Sequence, residues 1–174
     1  AVTDDNGCTA EASVNLQITT FDVSAAVSPT SCPGGSDGSI DISVLGGTTP
    51  YTFSWTGPNG YASTDEDISG LEAGEYFVDI EDATGCTFTM SYDVNQPQNF
   101  VFNGQVDPET CPGAADGSIE IQPEGGTLPY SFSWTSNGGF TSDQEDIFNV
   151  SPDTYTLTIT DGNDCMADTT IEVI

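Results

Sequence analysis

The chain of 174 residues contains 28 Asp and Glu residues and no Lys, Arg or His, so its formal charge at pH 7 is -28. It can therefore form no side-chain salt bridge, and each acid must face water, a backbone donor or an external cation. Nucleic acid and anionic membranes are excluded as partners, because binding them requires basic residues. The apolar runs are short, and no run of about 20 apolar residues predicts a membrane-spanning helix.

The first predicted element is a pair of strands in residues 1–20. Asp4 and Cys8 stand 78 residues before Asp82 and Cys86, so we interpret this segment as the C-terminal strands of a preceding repeat. Two strands alone cannot bury a core. We therefore expect either an excerpt of a longer array or a protomer that donates strands to its neighbour.

A tandem repeat organises the rest of the chain. Residues 30–93 and 109–172 superimpose without a gap at an offset of 79 residues. Repeat arrays stack or string neighbouring units together, and they more often provide reach and surface than chemistry. We place one domain at 21–98 and a second at 99–174.

Each repeat is predicted to contain seven short strands. In the first repeat, apolar residues alternate with polar ones in segments separated by glycine-rich turns. This period of two is typical of antiparallel strands with one buried face. Seven strands in about 79 residues predict an all-β fold of tandem immunoglobulin-like β-sandwiches. The strands are expected at 21–27, 39–45, 51–56, 60–65, 66–71, 75–82 and 86–95.

Two aromatic positions support the sandwich. Trp55 is expected mid-sandwich on the third strand, and Tyr76 opens the sixth strand after a tight corner. The second repeat has Trp134 and Tyr155 at the same places. A tryptophan on the third strand and a corner tyrosine are both typical of this fold.

Aromatic residues could alternatively bind sugars. Their position on the inward face of strands and their repetition favour core packing for most of them. Tyr61 and Phe140 are adjacent to glycines in the middle hairpin, and they are the best candidates for ligand contact. A carbohydrate-binding module that contacts surface glycans through these residues is thus a rival interpretation.

Five cysteines at repeat-related positions indicate an oxidising compartment. In a seven-strand sandwich, Cys32 and Cys86 should lie at opposite poles, about 20 Å apart, which is too far for a disulfide. We therefore hypothesise a bond from Cys32 to Cys165 between adjacent repeats. Pairing within repeats, Cys32 with Cys86 and Cys111 with Cys165, remains an alternative. In the first hypothesis, copies outside this sequence would meet the remaining cysteines, Cys8, Cys86 and Cys111.

Acidic residues cluster at the pole where consecutive repeats would meet. Such clusters could hold calcium and stiffen the junction, because calcium prefers oxygen ligands. They could equally be ordinary turn residues, since their spacing matches no established calcium loop. No other cofactor is expected. The candidate ligands are Asp4, Asp5, Glu81, Asp82, Asp161 and Asp164.

Catalysis is not expected. Without His or Lys, the chain lacks the usual general base and the usual activator of a nucleophile. A pair of carboxylates could still cleave glycosides. However, each candidate pair recurs in both repeats, as a structural feature would, or lies in a turn.

The shared motifs resemble the SprB repeat of very large cell-surface adhesins in gliding Bacteroidota. The similarity covers both repeats and the N-terminal segment, although the second repeat departs at Val150 and at 163–165. The resemblance implies secretion through the type IX pathway, display on the outer surface and adhesion to a substratum during gliding. The motifs in the first repeat are Cys32-Pro33, Gly46-Gly47, Pro50-Tyr51, Trp55, the corner Leu71-Glu72-Ala73-Gly74-Glu75-Tyr76, and the closing Asp82 and Gly85-Cys86.

Together these features predict a structural and adhesive stalk segment outside the cell, with neighbouring repeats as its main partners. The rival functions are the carbohydrate-binding module and a self-assembling filament subunit that donates residues 1–20 as a strand.

Overall fold

The computed structural model describes residues 2–10 and 21–174. Strands β1 (Val2–Thr3) and β2 (Thr9–Ala10) form an antiparallel hairpin. Residues 1 and 11–20 lie outside the described residues. The hypothesis that residues 1–20 are donated as a strand therefore stays a prediction. In the part of the chain described here, no helix is long and apolar enough to span a membrane.

The first repeat contains seven antiparallel strands and a short 3-10 turn at Pro58–Gly60. The strands are β3 (Asp22–Ser28), β4 (Gly38–Leu45), β5 (Thr52–Thr56), β6 (Ala62–Ser63), β7 (Ile68–Leu71), β8 (Gly74–Glu81) and β9 (Thr87–Val94).

These strands form two sheets. One has three strands in the order β3-β4-β7, and the other has four in the order β6-β5-β8-β9. All pairings are antiparallel, and Val78 lies opposite both Trp55 and Met90 in the larger sheet. Two antiparallel sheets with these connections make the immunoglobulin-like sandwich that the sequence predicts.

The second repeat has the same seven strands and the same two sheet orders, β10-β11-β14 and β13-β12-β15-β16. Its strands are β10 (Val101–Asp107), β11 (Gly117–Glu124), β12 (Ser131–Ser136), β13 (Thr141–Ser142), β14 (Ile147–Val150), β15 (Asp153–Thr160) and β16 (Met166–Val173).

The core of each repeat lies between its two sheets. Along β8 the side chains alternate between buried and exposed, as the sequence pattern predicts for a strand with one wet face. Trp55 and Trp134 are fully buried, and their indole N–H groups donate to the backbone carbonyls of Asp65 and Gln144, each at 2.9 Å. These bonds satisfy the only polar atom of each indole, so burial leaves no unpaired donor.

The corner tyrosine is the second anchor of each core. Tyr76 is buried, and its hydroxyl donates to the carbonyl of Glu72 at 3.0 Å. Burial, with smaller contributions from the nearby Tyr61 and Glu72, raises the pKa of Tyr76, so the hydroxyl keeps the proton that it donates. The equivalent bond from Tyr155 to Ser151 measures 2.8 Å.

The fourth strand is much shorter than the prediction of 60–65. It covers only Ala62–Ser63, and the 3-10 turn at Pro58–Gly60 occupies the preceding residues. After this strand the backbone forms an exposed bend at residues 65–67, and the carbonyl of Asp65 accepts the indole N–H of Trp55. The bend that presents this carbonyl therefore replaces the predicted end of the strand.

Replacing Tyr76 with Phe should lower the free energy of unfolding by about 1 kcal/mol, because the carbonyl of Glu72 loses a buried donor. The matched control is Tyr92→Phe, since among the described residues the Tyr92 hydroxyl makes one hydrogen bond, to the weakly accepting Met90 sulfur at 3.4 Å. Urea unfolding of both variants measures the difference. Equal losses in the two variants would contradict the proposed anchoring role of the corner.

Candidate functional site: the junction between repeats

The two repeats meet where the pole at the end of β9 faces the pole at the start of β10. The linker that joins them also forms part of the first pole. The amide of Thr30 donates to the carbonyl of Asn95 at 2.9 Å, and the amide of Gly34 donates to the Gln96 side-chain oxygen at 2.8 Å. The loop after β3 is thereby fixed to the chain that leads into the second repeat.

An aspartate clamps the loop that carries Cys32. The Asp37 carboxylate accepts both the backbone N–H and the hydroxyl of Ser31, the former at 2.9 Å. These two hydrogen bonds, the one from the hydroxyl first, hold the pKa of Asp37 below its ordinary value. Cys32 follows immediately, so its position at the pole depends on this charge-assisted closure.

A buried aspartate organises the facing pole of the second repeat. The Asp161 carboxylate accepts backbone N–H groups from Thr127 at 2.8 Å, Asn163 at 2.8 Å and Cys165 at 2.9 Å. Burial alone raises the pKa of Asp161, but these donors outweigh it and the pKa lies below the ordinary value. One carboxylate therefore fixes both the turn before β16 and the amide of Cys165.

The glycine turn beside Asp161 must be tightly packed. Gly126 has a φ of +60°, and a Cβ there would stand 2.7 Å from the Phe100 ring and 2.8 Å from an Asp161 oxygen. Its amide donates to the carbonyl of Gln98 in the linker at 2.8 Å. Only glycine fits both the backbone conformation and the available space.

A disulfide joins the two poles. Cys32 is bonded to Cys165, with their Cα atoms 5.5 Å apart and a sequence separation of 133. This is the inter-repeat pairing of our first hypothesis. The alternative pairing within repeats is not found, since Cys86 and Cys111 are both unbonded and exposed, as is Cys8.

A second contact flanks the disulfide. The Asn163 side-chain amide donates to the carbonyl of Ser31 at 3.2 Å, and the Cys165 sulfur lies 3.4 Å from the same oxygen. Below this contact is an open cleft of about 440 Å³ between the repeats. The junction is thus held by a few defined bonds. The cleft is lined by Cys32, Pro33, Phe100, Phe102, Asp164, Cys165, Met166 and Ala167.

Three of the six acidic candidates for calcium binding, Asp4, Asp82 and Asp161, accept hydrogen bonds from backbone donors. Asp82 repeats the arrangement of Asp161: it is buried and accepts N–H groups from Thr48, Thr84 and Cys86. Asp4 accepts N–H groups from two residues of its own turn. The remaining candidates, Asp5, Glu81 and Asp164, are exposed.

Across the described residues, no group of three or more acidic, cysteine or histidine side chains is arranged to hold a metal. Calcium binding at the junction stays a prediction.

The two candidate ligand-contact aromatics are half-buried. Tyr61 meets the ring of Tyr76 edge-on at 5.3 Å, and Phe140 meets Tyr155 in the same way at 5.5 Å. Both therefore pack against the corner tyrosine of their repeat. Contact with a glycan through these residues stays a prediction.

Sequence reasoning did not identify the roles of Asp37, Gln96 or Asn163 at the junction. The repeat could have pointed to Asp37, because Asp116 occupies the same position in the second repeat. Asp116 accepts the N–H and the hydroxyl of Thr110 in the same way. Gln96 and Asn163 have none, since a side chain that bridges two repeats has no partner in its own local sequence.

Asp82 should make stability depend on pH. The pKa of Asp82 is lowered from 3.8 to about 2, chiefly by the hydrogen bond from the hydroxyl of Thr84. Burial opposes this shift, and the backbone N–H donors add to it. Its stabilising effect is therefore complete above the ordinary pKa, and it is lost as the pH falls through about 4 towards 2.

Asp82→Asn should lower the free energy of unfolding at pH 7, because an amide N–H₂ would face backbone donors. The difference between this variant and the unmodified chain should shrink as the pH falls towards 2. Urea unfolding at a series of pH values measures it, with the exposed Asp41→Asn as the control. A difference that is independent of pH would contradict the role assigned to the carboxylate.

Comparison with known proteins identifies the repeat. The family model of the SprB repeat matches residues 24–60 and again 103–139. No curated protein sequence matches the chain.

Among solved structures, the chain is similar to the N-terminal eight Ig domains of Down Syndrome Cell Adhesion Molecule isoform 1.30.30. The identity is 14% and the TM-score 0.42, and the match covers 89% of this chain but only 24% of that one. It is also similar to the amphioxus IgVJ-C2 molecule, at 16% identity and a TM-score of 0.39, covering 84% of this chain and 99% of that one.

DIP-gamma IG1+IG2 matches at 10% identity and a TM-score of 0.43, covering 87% of this chain and 96% of that one. At these values the function of the neighbours is not transferable, and the assignment depends on the repeat match. The chain therefore carries two SprB-type repeats, a module of cell-surface proteins.

Proposed function

We propose that the chain is a tension-bearing segment of an extracellular adhesive stalk, in which SprB-type repeats are locked head to tail. The observation that carries the proposal is the disulfide between Cys32 and Cys165, which joins two successive repeats. Disulfides persist in oxidising compartments, which supports a location outside the cell. Secretion through the type IX pathway and a role in attachment or gliding follow from the family and belong to the same proposal.

The position of the disulfide determines the path of an applied force. A pull on the two ends of the chain enters the first repeat before Cys32 and leaves the second repeat after Cys165. The covalent bond connects these two points directly, so the segment between them carries no tension, even when it is unfolded. The bond thus limits how far the pair of repeats can extend.

The charge and the linker are consistent with an extended stalk. With a formal charge of -28 and no cation in the chain, the repeats repel each other. The bond between Cys32 and Cys165 holds them together against this repulsion, while the bonds from Thr30 and Gly34 to the linker fix how the chain leaves the first repeat. Repulsion between the repeats and a fixed linker direction both favour an extended arrangement of the repeats.

Force spectroscopy on the full chain, with handles at its two ends, tests the proposal. Fully extended chain spans about 3.5 Å per residue, so opening the 133-residue loop should add about 460 Å of contour length. The oxidised chain should therefore release about 460 Å less than the reduced chain when both unfold completely.

Two variants provide matched controls. Cys32→Ser should give the long extension with or without reductant. Cys86→Ser combined with Cys111→Ser removes two unbonded thiols, and it should behave like the unmodified chain. Equal extensions of the oxidised and reduced chains would overturn the proposal.

A further inference from the structure

We propose that Cys86 and Cys111 each form a further inter-repeat disulfide of the same kind as the bond between Cys32 and Cys165. The partner of each is a further SprB-type repeat placed in line. The inference rests on the proposed function and extends it from one junction to both outer poles. Cys86 would bond the cysteine of a preceding repeat that corresponds to Cys32. Cys111 would bond the cysteine of a following repeat that corresponds to Cys165.

The loop that carries Cys111 has the same construction as the loop that carries Cys32. Asp116 accepts the backbone N–H of Thr110 at 2.8 Å and its hydroxyl at 2.6 Å, as Asp37 does for Ser31. The hydroxyl bond, and then the backbone bond, lower the pKa of Asp116 as the matching bonds do for Asp37.

The two loops differ in the acceptor of one backbone amide. In the first repeat, the amide of Gly34 donates to Gln96 of the linker. At the outer pole, the equivalent amide of Gly113 donates to Glu109 of its own loop, at 2.9 Å. Glu109 occupies the position of Thr30 in the first repeat, so this amide pairs with an acidic residue of its own loop.

The turn that carries Cys86 matches the turn that carries Cys165. In both, a buried aspartate accepts the amide of the cysteine, at 3.0 Å from Cys86 to Asp82 and at 2.9 Å from Cys165 to Asp161. The two cysteines differ in exposure. Cys165 is buried at the junction, whereas Cys86 is exposed on its own pole.

The disulfide already present is the independent observation behind the proposal. It shows that these two types of pole, when they face each other, bring their cysteines within bonding distance, with Cα atoms 5.5 Å apart. Cys86 lies in the turn before β9 and Cys111 in the loop after β10, each at the pole of its repeat that faces away from the junction. They therefore need partners from further repeats.

The bonds of such an array would interleave. Each disulfide spans 133 residues, which exceeds the repeat offset of 79 residues given by Cys111 minus Cys32. Consecutive loops therefore overlap, and each residue in the interior of the array lies inside at least one closed loop. Every junction has its own bond, and unfolding a single repeat cannot release its full length.

Forming each bond requires an oxidant, for which glutathione disulfide suffices. The thiolate of one cysteine attacks glutathione disulfide, forms a mixed disulfide and releases one glutathione. The second cysteine then attacks the mixed disulfide and releases the other glutathione. Two thiol protons and two electrons leave the protein, and two glutathione thiols are formed.

The test uses the full chain extended after Ile174 by a second copy of residues 96–174, which preserves the spacing of the natural junction. Thr160→Ser in the added copy gives its Cys165 peptide a distinct mass. After oxidation in a glutathione buffer, mass mapping under non-reducing conditions should find Cys111 bonded to the marked Cys165. It should also find Cys32 bonded to the unmarked one.

The original disulfide is the internal control. If it forms while Cys111 stays open to alkylation, the further inference is overturned and the proposed function stands. If neither disulfide forms, the further inference and the proposed function are both overturned. Cys111→Ser in the extended chain should leave the marked Cys165 unbonded and the original disulfide unchanged.

A second extended chain, in which an added copy of residues 21–94 replaces residues 1–16, tests Cys86. Val27→Ile in the added copy marks its Cys32 peptide, which should be found bonded to Cys86. The unextended chain should form no Cys86 to Cys111 dimers at the same concentration. Dimers that form as readily as the in-line bonds would overturn the requirement for an in-line repeat.

Discussion

The absence of Lys, Arg and His is the constraint on which the structure depends. A buried carboxylate in this chain has no cationic side chain to pair with, so it must accept hydrogen bonds from backbone N–H groups or hydroxyls. The buried Asp82 and Asp161 do this at one pole of each repeat, and the exposed Asp37 and Asp116 accept hydrogen bonds of the same kind at the other. Each of these carboxylates fixes a loop that carries a cysteine.

This use of carboxylates links local structure to assembly. Backbone donors converge on one charged oxygen pair, which closes a turn and sets the direction of the following residue. Each of the four turns closed in this way positions one cysteine: Cys86, Cys165, Cys32 or Cys111. Because both kinds of turn recur in each repeat, every repeat presents one cysteine at each pole. The bond between Cys32 and Cys165 is the result when two such poles face each other.

Much of this arrangement could be predicted from the sequence. The alternation in β8 and β9, the buried Trp55 and the corner Tyr76 follow from period-two patterning and from the repeat. The placement of Cys32 and Cys86 at opposite poles follows from the strand count alone. The short β6 was not predictable, because a bend follows it in which the carbonyl of Asp65 accepts the indole N–H of Trp55, a contact with no local sequence signal. Neither was the role of Asn163, whose acceptor is 132 residues away.

The central claim is that a covalent bond joins the two repeats. Mass mapping of the unreduced native chain tests it most directly, and chymotrypsin must replace trypsin because the chain has no Lys or Arg. The account predicts a linked peptide pair containing Cys32 and Cys165, with Cys86 and Cys111 free in the isolated chain. A linked pair containing Cys32 and Cys86 would contradict it.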